Sequence, residues 1–174
     1  MAVNLSARQL LLEEMPAVVR GILDETGLPA ELLEIELTES IVMENSDEAV
    51  AALTRLKALG LRLAIDDFGT GFSSLSYLRR LPFDTLKIDK SFVMAMERDA
   101  DDAKIVRSTI DLAHNLGLSV VAEGVENAAI LGLLQLDCLP GKGKRKSNSK
   151  QQEHPGLECS EALFFVKIFH RKVF

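Results

Sequence analysis

The sequence has few of the residues that build sulfur-ligated metal sites, disulfide frameworks or membrane spans. Its 174 residues include two cysteines and three histidines. Cys138 and Cys159 lack metal-ligand spacing, so we interpret both as structural or incidental. No run approaches the about twenty apolar residues that a membrane-spanning helix needs. Met1 leads into a strand-like segment with no basic start or apolar stretch, so we expect no secretory leader and a cytoplasmic protein.

Charge is plentiful but unevenly distributed. The whole chain carries a net charge of −6, whereas residues 141–174 hold eight basic residues against three acidic ones. That tail has a net charge of +5, which leaves about −11 for residues 1–140. Basic runs can bind nucleic acid or anionic membranes, but Lys142 to Glu153 has no aromatic residue and no periodicity. We therefore predict an acidic domain over 1–140, a disordered or aberrant basic tail over 141–174, and no nucleic-acid polymer as partner.

The end of the chain contains one apolar run, Ala162 to Phe169. Its β-forming and aromatic residues suit a β-strand, which could replace a strand that the rest of the chain lacks. If it stays exposed, the same composition makes it an aggregation hazard. The sequence leaves both outcomes open.

Five short apolar segments end in polar side chains just before a turn or a helical pattern. In one of them Leu61, Leu63 and Ile65 alternate with polar or small residues and deliver Asp66 to the end of a strand. Helical patterns lie between the segments. This alternation predicts a parallel sheet covered by helices. We favour a (β/α) barrel over an open doubly wound sheet because every strand contributes a polar end. Those ends are Asn4, Glu36, Asp66, Asp67, Lys87, Asp89 and Glu123.

The polar ends favour metal-assisted hydrolysis. Carboxylate and amide oxygens are hard ligands that suit Mg²⁺ or Mn²⁺ rather than zinc. Adjacent Asp66 and Asp67 could hold two ions close together, although a solvated acidic loop would also explain this pair. Lys87 could orient the attacking water or offset phosphate charge. The alternative for Lys87 is a buried ion pair with Asp89 or Glu123.

Five motifs in order resemble the EAL domain, the bacterial phosphodiesterase that linearises the second messenger cyclic di-GMP. They cover about residues 1–140 and are Val3 to Leu10, Glu36 to Ser40, Asp66 to Leu75, Leu86 to Val93, and Val121 to Glu126. The resemblance implies a TIM-type barrel, of which this chain carries strands three to seven followed by an atypical tail. It also implies a signalling hydrolase with cyclic di-GMP as substrate, linear pGpG as product, and a homodimer for the full-length protein.

The resemblance implies a role for each matching residue. Asn4, Glu36 and Asp66 would bind a first Mg²⁺ or Mn²⁺ ion, and Asp66 would bridge to a second. Asp67 and Glu123 would complete the second ion. Lys87 would position the nucleophilic water, with Asp89 in the same acidic shell. Glu39 would pin the loop from Phe68 to Ser74, and Glu126 would support the site from outside.

The chain also departs from the family pattern. The glutamate of the signature Glu-Ala-Leu motif has no counterpart, and the eighth-strand segment is replaced by Gly141 to Arg145 with lysine where glutamine belongs. A complete barrel of this type typically needs about 250 residues. We therefore expect an incomplete barrel with negligible catalysis by this chain alone. The alternatives are a degenerate cyclic di-GMP-binding or regulatory module, and a truncated product without independent function.

Overall fold

The fold is taken from a computed structural model that describes residues 1–44, 46–71, 78–137 and 164–167. The described strands are β1 (Ala2–Asn4), β2 (Glu34–Thr38), β3 (Arg62–Phe68), β4 (Thr85–Ile88), β5 (Ser119–Glu123) and β6 (Phe164–Lys167). The described α-helices are α1 (Ala7–Leu10), α2 (Met15–Thr26), α3 (Glu39–Glu44), α4 (Ser46–Lys57), α5 (Lys90–Ala95), α6 (Ala100–Asn115) and α7 (Ala128–Asp137). A short 3₁₀ helix, Ala30–Leu32, precedes β2.

The strands form one parallel sheet in the order β1-β2-β3-β4-β5-β6. Each strand pairs with the next one along the chain, which is the order of a (β/α) barrel. A doubly wound sheet would instead reverse its strand order at a switch point. The predicted α/β barrel-type fold and its five predicted strands are therefore confirmed.

Strand alternation divides the sheet into an apolar face and a polar face. Leu37, Ile65, Leu86 and Val120 are at most 1% exposed and belong to the hydrophobic core that the strands share with the helices. Their neighbours Glu36, Asp66, Lys87 and Val121 occupy the opposite face. Burial of the apolar face stabilises the sheet, at about 25 cal/mol for each Å² removed from water.

Two helix ends carry capping motifs that are visible in the sequence. Ser6 and Gln9 form a capping box at the start of α1. Gly27 ends α2 in the left-handed conformation with a φ of 68°, as a C-terminal glycine commonly does. These caps fix the start of α1 and the end of α2.

The amino ends of the central strands are joined by Asp84, which lies just before β4. Its carboxylate contacts Lys57 Nζ of α4 at 2.5 Å and accepts a hydrogen bond from Leu63 N at 2.8 Å. Its backbone N–H donates to Leu63 O at 2.9 Å, and its backbone oxygen accepts from Ser119 N at 2.8 Å. Asp84 therefore connects β3, β4, β5 and α4 at one end of the sheet.

Part of the carboxyl-terminal tail belongs to the sheet, because β6 pairs with β5. For residues 164–167 the structure thus gives the strand outcome that the sequence left open. The predicted disorder of Lys142 to Glu153 falls outside the described residues. Within the described ranges, no helix is both long enough and apolar enough to cross a membrane.

Candidate active site

Lys87 lies at the centre of the polar face, near the carboxyl ends of the strands. Its Nζ is 2.9 Å from Glu36 Oε2, 3.0 Å from Asp66 Oδ1 and 2.9 Å from Glu123 Oε1. The three carboxylates come from β2, β3 and β5, and the lysine comes from β4. The Lys87 side chain is only 5% exposed. Four strands therefore meet at one buried ammonium group.

The carboxylates keep this lysine charged. Burial alone would lower the pKa of Lys87, but hydrogen bonds from its ammonium to Glu123, Glu36 and Asp66 outweigh burial and raise the pKa above its ordinary value. Lys87 is consequently a hydrogen-bond donor at neutral pH. It cannot accept a proton there, so this geometry does not suit a general base.

The end of β3 has an unusual backbone. Asp67 has a φ of 53°, the left-handed region that few residues other than glycine adopt. The register between β3 and β4 shifts between Ile65 and Phe68. The backbone N–H of Asp67 donates to Asp66 Oδ1 at 3.0 Å, and the Thr70 hydroxyl donates to Asp67 O at 2.9 Å. These contacts hold the backbone at the end of β3 in this conformation.

Asp67 and Asp89 form a second acidic pair beside the lysine cluster. Burial raises the pKa of Asp67, and the negative charges of Asp66, Asp89 and Glu123 raise it further. Burial would also raise the pKa of Asp89, but hydrogen bonds from Ser91 lower it below its ordinary value. Asp89 caps α5 by accepting from the backbone N–H of Ser91 at 2.9 Å. The pair therefore has unequal affinity for a proton.

Glu39 holds the loop that follows β3. Its side chain is among the most buried in the described chain, at 1% exposure. Glu39 Oε2 accepts hydrogen bonds from Gly69 N at 3.0 Å and Gly71 N at 3.2 Å. A carboxylate bonded to two backbone N–H groups fixes the start of the loop expected over Phe68 to Ser74, of which residues 72–74 lie outside the described residues.

Asn4 and Glu126 are the more remote members of the predicted set. Asn4 lies in register with Glu36 but is exposed on the outer strand β1. Glu126 is exposed in the segment between β5 and α7. Their proposed roles as metal ligand and supporting residue stay predictions.

Two polar residues of the same face were not predicted. Glu34 and Thr85 lie two positions before Glu36 and Lys87, and Thr85 Oγ1 is 3.4 Å from Glu34 Oε2. The period of two along each strand was the signal that could have identified them. They extend the polar face toward the amino ends of β2 and β4.

The oxygen donors suit a hard divalent ion in type, because carboxylates and an amide are what Mg²⁺ and Mn²⁺ prefer. Among the residues that the structure describes, no three acidic, histidine or cysteine side chains are already arranged around a common metal position. The ammonium of Lys87 lies between three of the carboxylates instead. A metal at this edge would share these carboxylates with Lys87.

Comparisons with known proteins agree with this geometry. The EAL domain family model matches residues 1–140. The cyclic di-GMP phosphodiesterase NbdA of Pseudomonas aeruginosa is 47% identical over 134 residues, which cover 77% of this chain and 17% of that protein. The chain spans about a fifth of the length of the curated relatives it matches.

Two solved structures are similar to the chain over 79% of its length. The PaMucR phosphodiesterase in its c-di-GMP complex is 43% identical, with a TM-score of 0.76 and 56% of that chain covered. The calcium and cyclic di-GMP complex of Klebsiella pneumoniae BlrP1 is 34% identical, with a TM-score of 0.73 and 35% covered. With a family model matching most of its residues and a carboxylate cluster at the strand ends, this chain belongs to the EAL domain family.

Proposed function

We propose that this chain is part of a metal-dependent phosphodiesterase that hydrolyses cyclic di-GMP to linear pGpG in second-messenger signalling. The observation that carries the proposal is the contact of one buried ammonium, that of Lys87, with carboxylates from three different strands. Barrel enzymes build their active sites at this edge of the sheet from several strands. Relatives that share the fold are named as phosphodiesterases of the same dinucleotide.

The proposed metal is Mg²⁺ or Mn²⁺. Its ligands would be the oxygen donors Asn4, Glu36, Asp66, Asp67 and Glu123. When bound, a pair of such ions activates water and stabilises the leaving oxygen of a phosphodiester. A cytoplasmic location and a homodimer of the longer protein belong to the same proposal.

The protein's own residues orient the reactants and hold charge. Lys87 donates hydrogen bonds at neutral pH, so it suits the positioning of a water molecule or a phosphate oxygen rather than proton abstraction. Glu39 fixes Gly69 and Gly71 at the start of the loop after β3. The pKa of Asp67 is raised and that of Asp89 is lowered, so on acidification a proton binds to Asp67 more readily than to Asp89.

For the 174-residue chain alone we propose at most trace turnover. Asn4 is exposed on the outer strand, and the sequence contains no counterpart of the glutamate in the family's signature motif. Loss of a metal ligand usually costs orders of magnitude in rate.

A melting experiment with product analysis tests the proposal. We expect cyclic di-GMP with Mg²⁺ or Mn²⁺ to raise the midpoint of thermal unfolding, since a ligand that binds the native state stabilises it. Asp66→Asn should remove this rise, whereas Asp111→Asn on the exposed side of α6 should not. A cooperative melt that the ligand does not shift would contradict the proposed substrate.

Product analysis separates the enzyme from a degenerate binding module. Prolonged incubation should yield a trace of pGpG that depends on the metal and on Asp66. Metal-independent binding with no pGpG would instead identify a binding module. The intact set of carboxylates around Lys87 favours the enzyme.

A further inference from the structure

The first turn of α5 lies against the loop that follows β3. A Cβ built on Gly69 would be 3.1 Å from Cε2 of Phe92, 3.6 Å from Cδ2 and 3.7 Å from Cζ of the same ring. Gly69 also has a φ of 102°, so both the backbone and the available space disfavour a larger residue there. The edge of the Phe92 ring therefore faces the side of Gly69 from which a side chain would project.

The same turn of α5 lies against the segment that follows β5. A Cβ built on Gly124 would be 2.8 Å from Lys90 Cβ. Gly124 directly follows Glu123, and Gly69 comes two residues after Asp67. One helical turn thus contacts the chain just beyond two of the proposed metal ligands. The strands β3 and β5 are not neighbours, because β4 lies between them in the sheet.

The position of α5 is itself well determined. Asp89 caps its amino end by accepting from the backbone N–H of Ser91 at 2.9 Å, and a side-chain hydrogen bond links Asp89 to Asp67. Val93 is fully buried, and Phe92 is partly buried against the hydrophobic core. Because packed interiors have little free space, the ring of Phe92 has little room to move.

Two contacts of different kinds determine the position of Gly69. Its backbone N–H donates to Glu39 Oε2 at 3.0 Å, and the Phe92 ring limits how far its backbone can move toward α5. The next residue, Thr70, donates its hydroxyl to Asp67 O at 2.9 Å. A displacement of Gly69 would therefore be transmitted to the backbone of Asp67.

We propose that Phe92 is a positioning residue for the candidate active site. Its ring determines the position of Gly69 and, through Gly69, that of Asp67. The first turn of α5 contacts the loops after β3 and β5 together, so it also fixes the position of Asp67 relative to Glu123. The consequence for metal binding rests on the proposed metal-dependent function, whereas the packing of α5 against the two loops does not.

Amide hydrogen exchange in the full chain without ligand tests the contact. Phe92→Leu removes the ring and keeps an apolar side chain. We expect exchange of the Gly69 and Gly71 amides to become roughly tenfold faster, because weaker packing favours local opening.

Phe83→Leu is the matched control. It makes the same substitution at a buried ring just before β4, at the amino end of the sheet. It should lower the melting temperature without changing exchange at Gly69. Equal exchange at Gly69 in Phe92→Leu and the parent chain would overturn the proposal.

Two alanine variants test whether α5 links the two loops. Gly124→Ala places a Cβ against Lys90, so it should also make exchange at Gly69 faster although it lies after a different strand. Gly117→Ala introduces a Cβ at the same φ of 75° with nothing within 4 Å, and it should leave Gly69 unaffected. Equal exchange at Gly69 in the two variants would show that α5 does not link the loops.

Binding of Mn²⁺, followed by electron paramagnetic resonance of the free ion, tests the consequence for the site. We expect Phe92→Leu to weaken binding by roughly tenfold, a loss typical of residues that orient metal ligands. Phe83→Leu, measured at a temperature where both variants are folded, should keep the affinity of the parent chain. Equal affinities in Phe92→Leu and Phe83→Leu would overturn the role of Phe92 at the metal site.

The outcomes distinguish this inference from the proposed function. Absence of Mn²⁺ binding in every protein, the parent chain included, would contradict the metal-dependent function and the effect of Phe92 on metal affinity. Exchange at Gly69 in Phe92→Leu would still decide whether the ring positions the loop.

Discussion

Lys87 Nζ and Glu123 Oε1 lie 2.9 Å apart and join the neighbouring strands β4 and β5. The same ammonium reaches Glu36 and Asp66 on β2 and β3. A buried charge is stable only if it is paired, so each member of this cluster depends on the others. The cluster is therefore a structural element as well as a candidate active site.

Replacement of Lys87 by methionine should leave three carboxylates without their cation. We expect Lys87→Met to lower the free energy of unfolding by about 3–5 kcal/mol at pH 7, the usual cost of breaking a buried ion pair on one side. Urea denaturation measures this change. Lys104→Met is the control, because Lys104 pairs with Asp101 on an exposed surface where such pairs contribute about 0–1 kcal/mol.

The pH dependence of this effect has a definite sign. The pKa of Lys87 is raised in the folded chain, so its stabilisation is complete below the ordinary lysine value of about 10.4 and is lost as pH rises through the raised pKa. The difference in free energy of unfolding between Lys87→Met and the parent chain should therefore narrow as pH rises above about 10.4. A difference that widens over that range would contradict this account.

Replacement of Glu39 by glutamine should loosen the loop after β3. The change removes a buried charge that accepts from Gly69 N and Gly71 N. We expect a loss of about 1–3 kcal/mol in the free energy of unfolding and faster exchange of the two amides. Glu97→Gln on an exposed surface is the control and should change neither quantity.

Replacement of Asp67 by asparagine should stabilise the chain at neutral pH. The raised pKa of Asp67 means that its ionisation is disfavoured by burial and by the charges of Asp66, Asp89 and Glu123. Asparagine removes that charge and tolerates the left-handed backbone of this position. We expect the melting temperature to rise by roughly 2–4 °C, the size that about 1 kcal/mol produces in a domain of this length.

The effect of Asp67→Asn should depend on pH. The destabilisation caused by the Asp67 charge is absent below the ordinary aspartate pKa of 3.8 and fully present above the raised pKa. The melting temperatures of Asp67→Asn and the parent chain should therefore converge in acid. Melting scans from pH 3 to pH 8 test this. A variant that is less stable than the parent at neutral pH would contradict the repulsion.

Alanine substitutions at two glycines with the same φ distinguish the cost of backbone strain from the cost of a steric clash. Gly117 and Gly124 both have a φ of 75°, but a Cβ at Gly117 would meet nothing within 4 Å, whereas one at Gly124 would lie 2.8 Å from Lys90 Cβ. Gly117→Ala should cost about 1–2 kcal/mol for backbone strain alone. Gly124→Ala should cost about 1–3 kcal/mol more, because α5 must shift.

Chemical denaturation of the two alanine variants measures this difference. Equal losses in the free energy of unfolding would show that a Cβ at position 124 does not clash with α5.

Much of this architecture follows from local pattern. Alternation from Leu61 to Asp66 and the caps at Ser6 and Gly27 place strands and helix ends correctly, because these features depend on neighbours in the sequence. The convergence of Glu36, Asp66 and Glu123 at one edge follows from parallel pairing.

The ion-pair and hydrogen-bond partners of individual side chains could be identified only from the structure. The sequence left open whether Lys87 pairs with Asp89 or Glu123, and the structure shows contacts with Glu123, Glu36 and Asp66. Asp89 instead caps α5. Such choices depend on distances of an ångström or two across strands that are far apart in sequence.

The partners of two long-range contacts could not be identified from local sequence. The contact of Asp84 with Lys57 joins residues 27 positions apart. The pairing of β6 depends on a neighbour more than forty residues earlier, and an isolated apolar run cannot reveal whether it finds one.

The contacts of Asp84 make the amino ends of the strands different from their carboxyl ends. The carboxyl ends carry like charges that repel one another, and the amino ends are tied together by Lys57, Leu63 and Ser119. Substitutions at the carboxylate edge should therefore leave the contacts of Asp84 at the amino ends in place.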